Sequence, residues 1–430
     1  MRLSYSKCGI GSFGLELKSL GRCNNCSEEA LVNIRYSKKK LCPECFSEFF
    51  VRRVRKTVEE FRMFKPGERV VVAVSGGKDS VALLHALKKA FPEVDILSFY
   101  INLGIKYYSD HLQEKVGELA EKLRVPLEVY DLRSEGYTID DFLMTKYKHK
   151  MCSICGTIKR NIFTRMAVKV EANALATGHN LDDTVSTMLS LFFNGDFESI
   201  KRLKPVINPL LPKHPRKIKP LITTPEIEDL YYVYLNKLPV GECDCPYGEI
   251  TPIKDVKAIL DKLEDKQPDV KFRLLSVFRK KLIPLIVDNR EKGEEVLSCK
   301  ICGMPSSSEI CSKCRKVEEL INLKRTAKYE SIEIDDVKEL GGDVVLLDVR
   351  TKEEFLISTL PGAINIPLEE LEKRLAELKP YKKTHKILVF CNTGRISYSA
   401  TLKMRNLGFR AYNLRGGLGL AGKASSLRKE

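Results

Sequence analysis

The chain has 430 residues, 43% of them hydrophobic, too many for one compact core and suited to two or three domains. It has no run of about 18 apolar residues, and its N-terminal stretch lacks an apolar core followed by a cleavage site. A membrane-spanning protein is therefore excluded, and a cytosolic one without a signal peptide is predicted. The net charge is +16, of which +13 lies within residues 1–329; this favours a polyanionic partner such as nucleic acid, although a solvated basic surface would have the same composition.

Residues 1–50 carry little apolar periodicity. A helix is predicted over 51–64, ended by Pro66-Gly67. The run Val70 to Val74 reads as a strand of a buried parallel sheet, followed by a Gly-rich turn at 75–80 and a helix over 80–90. Strands are expected at 94–101 and 127–131 around a helix at 109–124, then a strand at 175–177 and a helix at 181–193. This alternation predicts a doubly wound α/β domain. Residues 200–220 hold seven Lys/Arg, five Pro and no acid, and read as an irregular basic loop. A helix is expected at 225–237 and a charged helical linker at 315–329. The pattern restarts with strands at 344–347 and 387–390 around a helix at 368–378. The expected division is an N-terminal ribbon (1–50), an α/β catalytic domain (51–295), a second ribbon (296–325) and a C-terminal α/β domain (331–430).

The chain has fourteen cysteines. Reducing compartments disfavour structural disulfides, so pairs at metal spacing point to ligands. Cys23-x-x-Cys26 with Cys42-x-x-Cys45, and Cys299-x-x-Cys302 with Cys311-x-x-Cys314, read as two closed structural Zn²⁺ sites with no position left for catalysis. Cys152-x-x-Cys155 and Cys243-x-Cys245 stand apart, and their spacing leaves an iron–sulfur cluster and a third zinc both open. Cys8 and Cys391 are isolated.

Ser75-Gly76-Gly77-Lys78-Asp79-Ser80 lies between an apolar strand and a helix. Its glycines allow close backbone approach, its amides and the helix N-terminus suit phosphate oxygens, and Lys78 can neutralise charge. The gap is too short for a Walker loop. The segment Gly178-His179-Asn180-Leu181-Asp182-Asp183 also joins a strand to a helix, where ligands of open α/β sheets sit. Asp182 and Asp183 are candidates for Mg²⁺ or for proton transfer, and an N-terminal helix charge would account for one of them.

SGGKDS resembles the PP-loop of ATP pyrophosphatases, which cleave ATP between the α and β phosphates. With Cys152 to Gly156, Lys159-Arg160, Cys245-Pro246-Tyr247 and the two ribbons, residues 22–325 resemble the TtcA/TtuA family of tRNA thiolation enzymes, and within it the two-ribbon branch that makes 2-thiouridine. The resemblance implies a [4Fe–4S] cluster held by Cys152, Cys155 and Cys245, with one iron free of protein ligands. It also implies Lys159 and Asp183 beside the substrate uridine, tRNA as partner, and a homodimer. Cys243 is an alternative third cluster ligand, or a fourth ligand if the metal is zinc. His179 suits nucleotide positioning. Arg52, Arg53, Arg55, Lys146, Lys148, Lys150 and the 200–220 loop are candidate tRNA phosphate contacts.

Leu346 to Arg350, Pro361 to Pro367 and Phe390-Cys391-Asn392-Thr393-Gly394-Arg395-Ile396-Ser397 make residues 331–425 resemble a rhodanese domain, in which the loop cysteine carries a persulfide. Ile396 departs from the usual loop, which has Arg immediately before the Ser. The function expected is ATP-dependent adenylation of a tRNA uridine and replacement of its oxygen by sulfur, with Cys391 as relay and persulfide, sulfide or a ubiquitin-like carrier as donor. The alternatives are 4-thiouridine synthesis and a non-catalytic zinc-ribbon RNA-binding sulfur carrier.

Overall fold

The computed structural model describes residues 17–106, 108–241, 245–248, 253–288, 296–332 and 343–418, with positions 337, 340 and 341 between the last two stretches. Cys8, Cys243 and the side chain of Arg395 lie outside the described residues. The chain forms two compact units. One comprises the chain up to Thr138 with Cys152–Lys313; the other comprises Ile139–Met151 with the chain from Cys314 onward.

The first unit opens with β1 (Val32–Ile34) antiparallel to β2 (Lys39–Leu41), leading into α1 (Pro43–Glu60). The helix starts well before the predicted residue 51. Cys42 caps it by accepting from the Cys45 N–H, and Pro43 fills the first turn, where a missing N–H costs nothing. Phe46, Phe50, Val54 and Val58 then form one buried stripe.

The central sheet contains β3 (Arg69–Ala73), β4 (Asp95–Asn102), β5 (Leu127–Asp131), β6 (Ala174–Ala176), β7 (Val206–Ile207) and β8 (Arg216–Ile218), in the order β5-β4-β3-β6-β8-β7. β3, β4, β5, β6 and β8 pair in parallel and β7 is antiparallel. Helices α2 (Lys78–Ala90), α3 (Ser109–Leu123), α4 (Met151–Lys169) and α5 (Leu181–Phe193) connect or follow the strands. The chain leaves β3 toward β4 and β5, then returns to the other side of β3 at β6. The carboxyl ends of β3 and β6 therefore flank a topological switch point, where such sheets open a crevice.

β8 corrects the expectation of an irregular loop at 200–220. Arg216-Lys217-Ile218 has no apolar alternation, so its strand character comes from pairing with β6 rather than from its side chains. The short α6 (Phe197–Ile200), α7 (Glu226–Leu235), α8 (Ile253–Lys266), α9 (Val270–Val277) and α10 (Ile283–Asp288) complete the domain. A second ribbon, β9 (Leu297–Ser298) with β10 (Pro305–Ser306), precedes α11 (Ser312–Glu330).

The second unit is a five-stranded parallel sheet of β11 (Ser331–Ile332), β12 (Val344–Asp348), β13 (Ile364–Asn365), β14 (Lys386–Phe390) and β15 (Ala411–Leu414), ordered β11-β15-β14-β12-β13. It carries α12 (Lys352–Ile357), α13 (Leu371–Arg374) and α14 (Arg395–Asn406). The predicted helix at 368–378 is instead the one-turn α13 followed by a 3₁₀ stretch over Leu375–Tyr381 that contains Pro380. Among the described residues no helix is long and apolar enough to cross a membrane.

One buried charge ties the helical part of the first unit together. Lys271 on α9 is 2% exposed, and its Nζ lies 2.5 Å from Asp182, 2.7 Å from Asp261 and 2.8 Å from Glu264. These carboxylates form an acidic cluster that would suit a metal ion, but the ammonium occupies its centre. Removing it strands a buried Asp182, so Lys271→Ala is expected to cost about 3 kcal/mol of stability. Urea denaturation checks this; a loss well under about 1 kcal/mol would mean that solvent reaches the cluster.

Candidate active site

The PP-loop and the start of α5 meet at the switch point. Ser80 closes the loop on itself: its Oγ donates to the Gly77 carbonyl at 3.0 Å, accepts from the Ser75 N–H at 3.0 Å and lies 3.1 Å from the Ser75 Oγ. Gly76 has φ +82° and packs against Leu112, which lies 3.1 Å from where a Cβ would stand. Gly178, just beyond β6, approaches the first turn of α2 so closely that a Cβ there would sit 3.0 Å from the Ser80 nitrogen. The two strand ends thus present the amino end of α2 to the crevice, with Ser75, Lys78, Asp79 and His179 around it.

Charges line this crevice in pairs. Lys78 Nζ meets Glu226 at 2.7 Å and Asp79 at 3.4 Å; burial opposes its charge, but the two carboxylates outweigh that and raise its pKa. Asn180 caps α5 by accepting from the Asp183 N–H at 2.9 Å, and its amide donates to Asp79 and to Asp229, each at 3.2 Å. Asp229 is fully buried with one carboxylate oxygen unpartnered; burial and the Asp79 charge push its pKa well up.

The two adjacent acids divide their work. Asp182 is consumed structurally: it pairs with Lys271 and accepts from the Glu226 N–H at 2.8 Å, fixing the start of α7. The sequence expectation that both Asp182 and Asp183 serve Mg²⁺ or a proton therefore narrows to Asp183. That side chain keeps 40% of its surface accessible, with Lys257 Nζ 3.9 Å away. The crowded recess around it raises its pKa to about 6, against the pull of Lys257 and with help from Asp79 and Glu226. The His179 ring reaches solvent but is flanked by protein. That crowding, then Lys219, Lys159 and Arg160, hold its pKa down at about 4, so the imidazole is neutral near pH 7.

Helix α4 carries Cys152, Cys155 and Lys159 at spacings that share one face. Cys152 Sγ donates to the Tyr247 carbonyl at 3.1 Å, which brings the turn containing Cys245 to that face. Burial raises the thiol pKa values of Cys155 and Cys245, and Lys159 lies close enough to oppose it at both. The groups whose ligand atoms all lie within 4.8 Å of one another are the two four-cysteine sets and the Lys271 cluster, among the described residues. Cys152, Cys155 and Cys245 are not among the groups that close to this distance.

The four-cysteine sets are compact. Cys26 lies 3.5 Å from Cys42 and 3.6 Å from Cys45, and Cys302 lies 3.7 Å from Cys311, against about 3.8 Å for thiolates around tetrahedral zinc. Amide N–H groups of Asn25 and Cys311 point at Cys23 and Cys299. Asn161 on α4 reaches Cys302 Sγ at 3.5 Å, fastening the second ribbon to the helix that bears Cys152 and Cys155.

In the second unit Cys391 follows the central strand β14 and is 1% exposed. Ser397 Oγ lies 3.3 Å from its sulfur and 2.7 Å from Asn413. The Leu418 N–H donates to the Cys391 carbonyl at 2.9 Å, and Gly417 approaches so closely that a Cβ would overlap that oxygen. Arg350, paired with Asp348, holds Asn392 of the loop at 2.8 Å. Ile396 is exposed.

Of the basic candidates, Arg53 is engaged inside the fold, pairing with Glu228 at 2.7 Å and packing on Phe49. Arg55 donates to the Ala90 carbonyl and lies over Phe91, and Lys146 pairs with Glu319 at 3.0 Å. Arg52, Lys148 and Lys150 are exposed. Glu226, Asp229 and Lys257 were not legible in the sequence; none lies in a motif, and only folding brings them to the crevice.

This fold and crevice define a nucleotide-activating α/β enzyme joined to a sulfur-handling module. Residues 47–228 match the PP-loop domain family model and residues 333–419 the rhodanese-like domain model. The chain is 36% identical over 312 residues to the tRNA-5-methyluridine(54) 2-sulfurtransferase of Pyrococcus horikoshii, covering 72% of this chain and 98% of that protein. It is 30% identical to the tRNA 2-thiolation protein NcsA of Haloferax volcanii, covering 69% and 98%. The U34-tRNA thiolase NcsA of Methanococcus maripaludis, solved with its [4Fe–4S] cluster, superposes with a TM-score of 0.60 at 27% identity, over 70% of this chain and 96% of that one. The chain belongs to the TtuA/NcsA family of PP-loop tRNA 2-thiolation enzymes.

The raised pKa of Asp183 has a defined sign. The native state holds an extra proton between the ordinary carboxylate range and about pH 6, so this group's contribution to stability falls as pH rises through that window. The melting temperature of the natural protein minus that of Asp183→Asn is expected to decline from pH 4 to pH 6. A flat difference would mean an unshifted carboxyl.

Proposed function

We propose that the chain uses ATP to adenylate the 2-oxygen of a tRNA uridine and exchanges that oxygen for sulfur. What supports this reading is Asp183 beside Lys78 and Asp79 of the PP-loop, together with Lys159, which bears on Cys155 and Cys245 and also on His179. The loop amides and Lys78 hold the phosphates, and Asp183 is the carboxylate open to Mg²⁺ accompanying the nucleotide. Attack of the uridine oxygen on the α-phosphorus releases pyrophosphate, and a sulfur nucleophile then displaces AMP, which leaves with the former base oxygen. Lys159 stands where it can stabilise the charge that develops on the base. Neutral His179 positions the nucleotide without competing for its phosphates.

Cys152, Cys155 and Cys245 would hold a [4Fe–4S] cluster, which supplies a metal ion open to a sulfur ligand. The two four-cysteine sets would each hold structural Zn²⁺. Cys391 would receive sulfur as a persulfide from a small-molecule or protein donor, with Ser397 beside it, and a thiol reductant would supply the two electrons that release the outer sulfur as sulfide for the exchange. A cytoplasmic homodimer with separate ribbon, catalytic and rhodanese segments completes the proposal.

Nucleoside mass spectrometry on unmodified tRNA tests it, after anaerobic incubation with reconstituted protein, ATP and persulfide. The expected product is 2-thiouridine that requires ATP, with fragment mapping naming the position. 4-Thiouridine, or tight tRNA binding without AMP release, would instead establish one of the two alternative functions. Cys391→Ser is expected to reduce persulfide-driven product at least tenfold while leaving sulfide-driven product unchanged; equal loss with both donors would remove the relay. Elemental analysis is expected to find about two zinc ions per chain.

A further inference from the structure

Three lysines in the first unit are almost fully buried, and the fold gives two of them carboxylate partners: Lys313 pairs with Glu135 at 3.0 Å. Lys271 is surrounded by three carboxylates. Lys219 is 8% exposed, and the contact of its Nζ is the Arg202 carbonyl at 3.4 Å. Among the described residues, no carboxylate lies within 4.0 Å of the charged groups of Lys219, Lys217, Arg160 or Arg202. Burying an ammonium without an anion is unfavourable by several kcal/mol in general. A fold that keeps one there leaves an anionic position to be filled.

The location is specific. β8 pairs with β6 in register Ala176↔Ile218, and the Thr177 N–H donates to the Ile218 carbonyl at 3.1 Å. Lys219 therefore stands at the carboxyl end of β8, beside Gly178 and His179 at the carboxyl end of β6, along the edge where the sheet binds ligands. The charges sense one another. Burial lowers the pKa of Lys219 to about 8, and burial with the Arg160 charge lowers that of Lys217. Lys219, Lys159 and Arg160 all bear on His179. An anion with several acceptor oxygens can meet the buried ammonium and the Lys217–Arg160 pair together; a carboxylate or sulfide offers fewer acceptors.

We propose that Lys219, Lys217 and Arg160, beside His179, form a phosphate-binding site adjoining the PP-loop, filled by a backbone phosphate of the substrate tRNA or by a phosphate of the nucleotide. The identity of these two sources rests on the proposed function; the site itself rests on the uncompensated cations.

The test uses the full-length protein and three variants: Lys219→Met, Lys219→Arg and the more accessible Lys217→Gln. Fluorescence anisotropy with a tRNA transcript across a KCl series, and calorimetry with ATP and with inorganic pyrophosphate, read the two sources separately. Lys219→Met is expected to melt no lower than the natural protein while weakening one of the two ligands about tenfold, with Lys219→Arg restoring most of it. Loss of tRNA affinity with a shallower salt slope identifies a backbone phosphate; loss of ATP or pyrophosphate affinity identifies the nucleotide. If Lys219→Met folds poorly, Lys217→Gln is expected to show the same loss to a smaller degree. Unchanged affinity for all three ligands in both positions overturns the site. So does a change confined to the visible absorption of the reconstituted protein, which would assign these cations to the cysteine thiolates. If the natural protein bound neither tRNA nor ATP, the proposed function would fail, whereas normal binding by the natural protein and all variants sinks only this site.

Discussion

The approach of Gly178 to the first turn of α2 is the constraint on which the catalytic unit depends. With a side chain at 178, a Cβ would stand 3.0 Å from the Ser80 amide nitrogen, and β6 could not bring its carboxyl end beside the PP-loop. That closeness aligns two helix beginnings, α2 and α5, on one crevice, and it places Asn180 where one side-chain amide serves both Asp79 and Asp229. Nucleotide-binding backbone and acidic side chains are thereby held by the sheet rather than by a mobile loop.

Charge in this molecule follows a consistent division. Where a buried ion serves the fold, it is matched within the fold: Lys271 by three acids, Arg53 by Glu228 and the rings of Tyr36 and Phe49. Where it serves the crevice, it is matched incompletely. Asp183 remains half open, Asp229 keeps an unpartnered oxygen, and Lys219 has a carbonyl for company. Such unfinished electrostatics are tolerated because the surrounding core determines the backbone, and they leave interaction energy for ligands.

The cysteine ribbons extend the scaffold where apolar side chains are scarce. The first ends in the cap of α1, so the sulfur of Cys42 also positions a helix whose stripe reaches the main core. The second is fastened through Asn161 to α4, the helix carrying Cys152 and Cys155. Each ribbon thus bears on the orientation of a helix used elsewhere in the structure, a role that suits four-cysteine sets, since a metal bound to four thiolates would fix their geometry independently of packing.

Local chemistry made much of this legible from the residues alone. The Val70 to Val74 run, the SGGKDS turn, the paired cysteines and the loop after Phe390 each need only neighbouring residues to act, and they stand where the spacing placed them. The limits appear where the deciding partner is distant in sequence. β8 is a strand because β6 lies beside it, and no pattern within Arg216-Lys217-Ile218 says so. Asp182 and Asp183 are chemically identical neighbours, yet Lys271, nearly ninety residues away, makes the first a structural anchor and leaves the second to the crevice. Arg53 reads as a phosphate contact until Glu228 takes it inside the fold. Sequence alone determined the protein's class, its motifs and its two four-cysteine sets, since these depend on residue type at short spacing. Tertiary structure decided which charges remain unpaired, because compensation is set by distance in space, to which residue type and short spacing are blind.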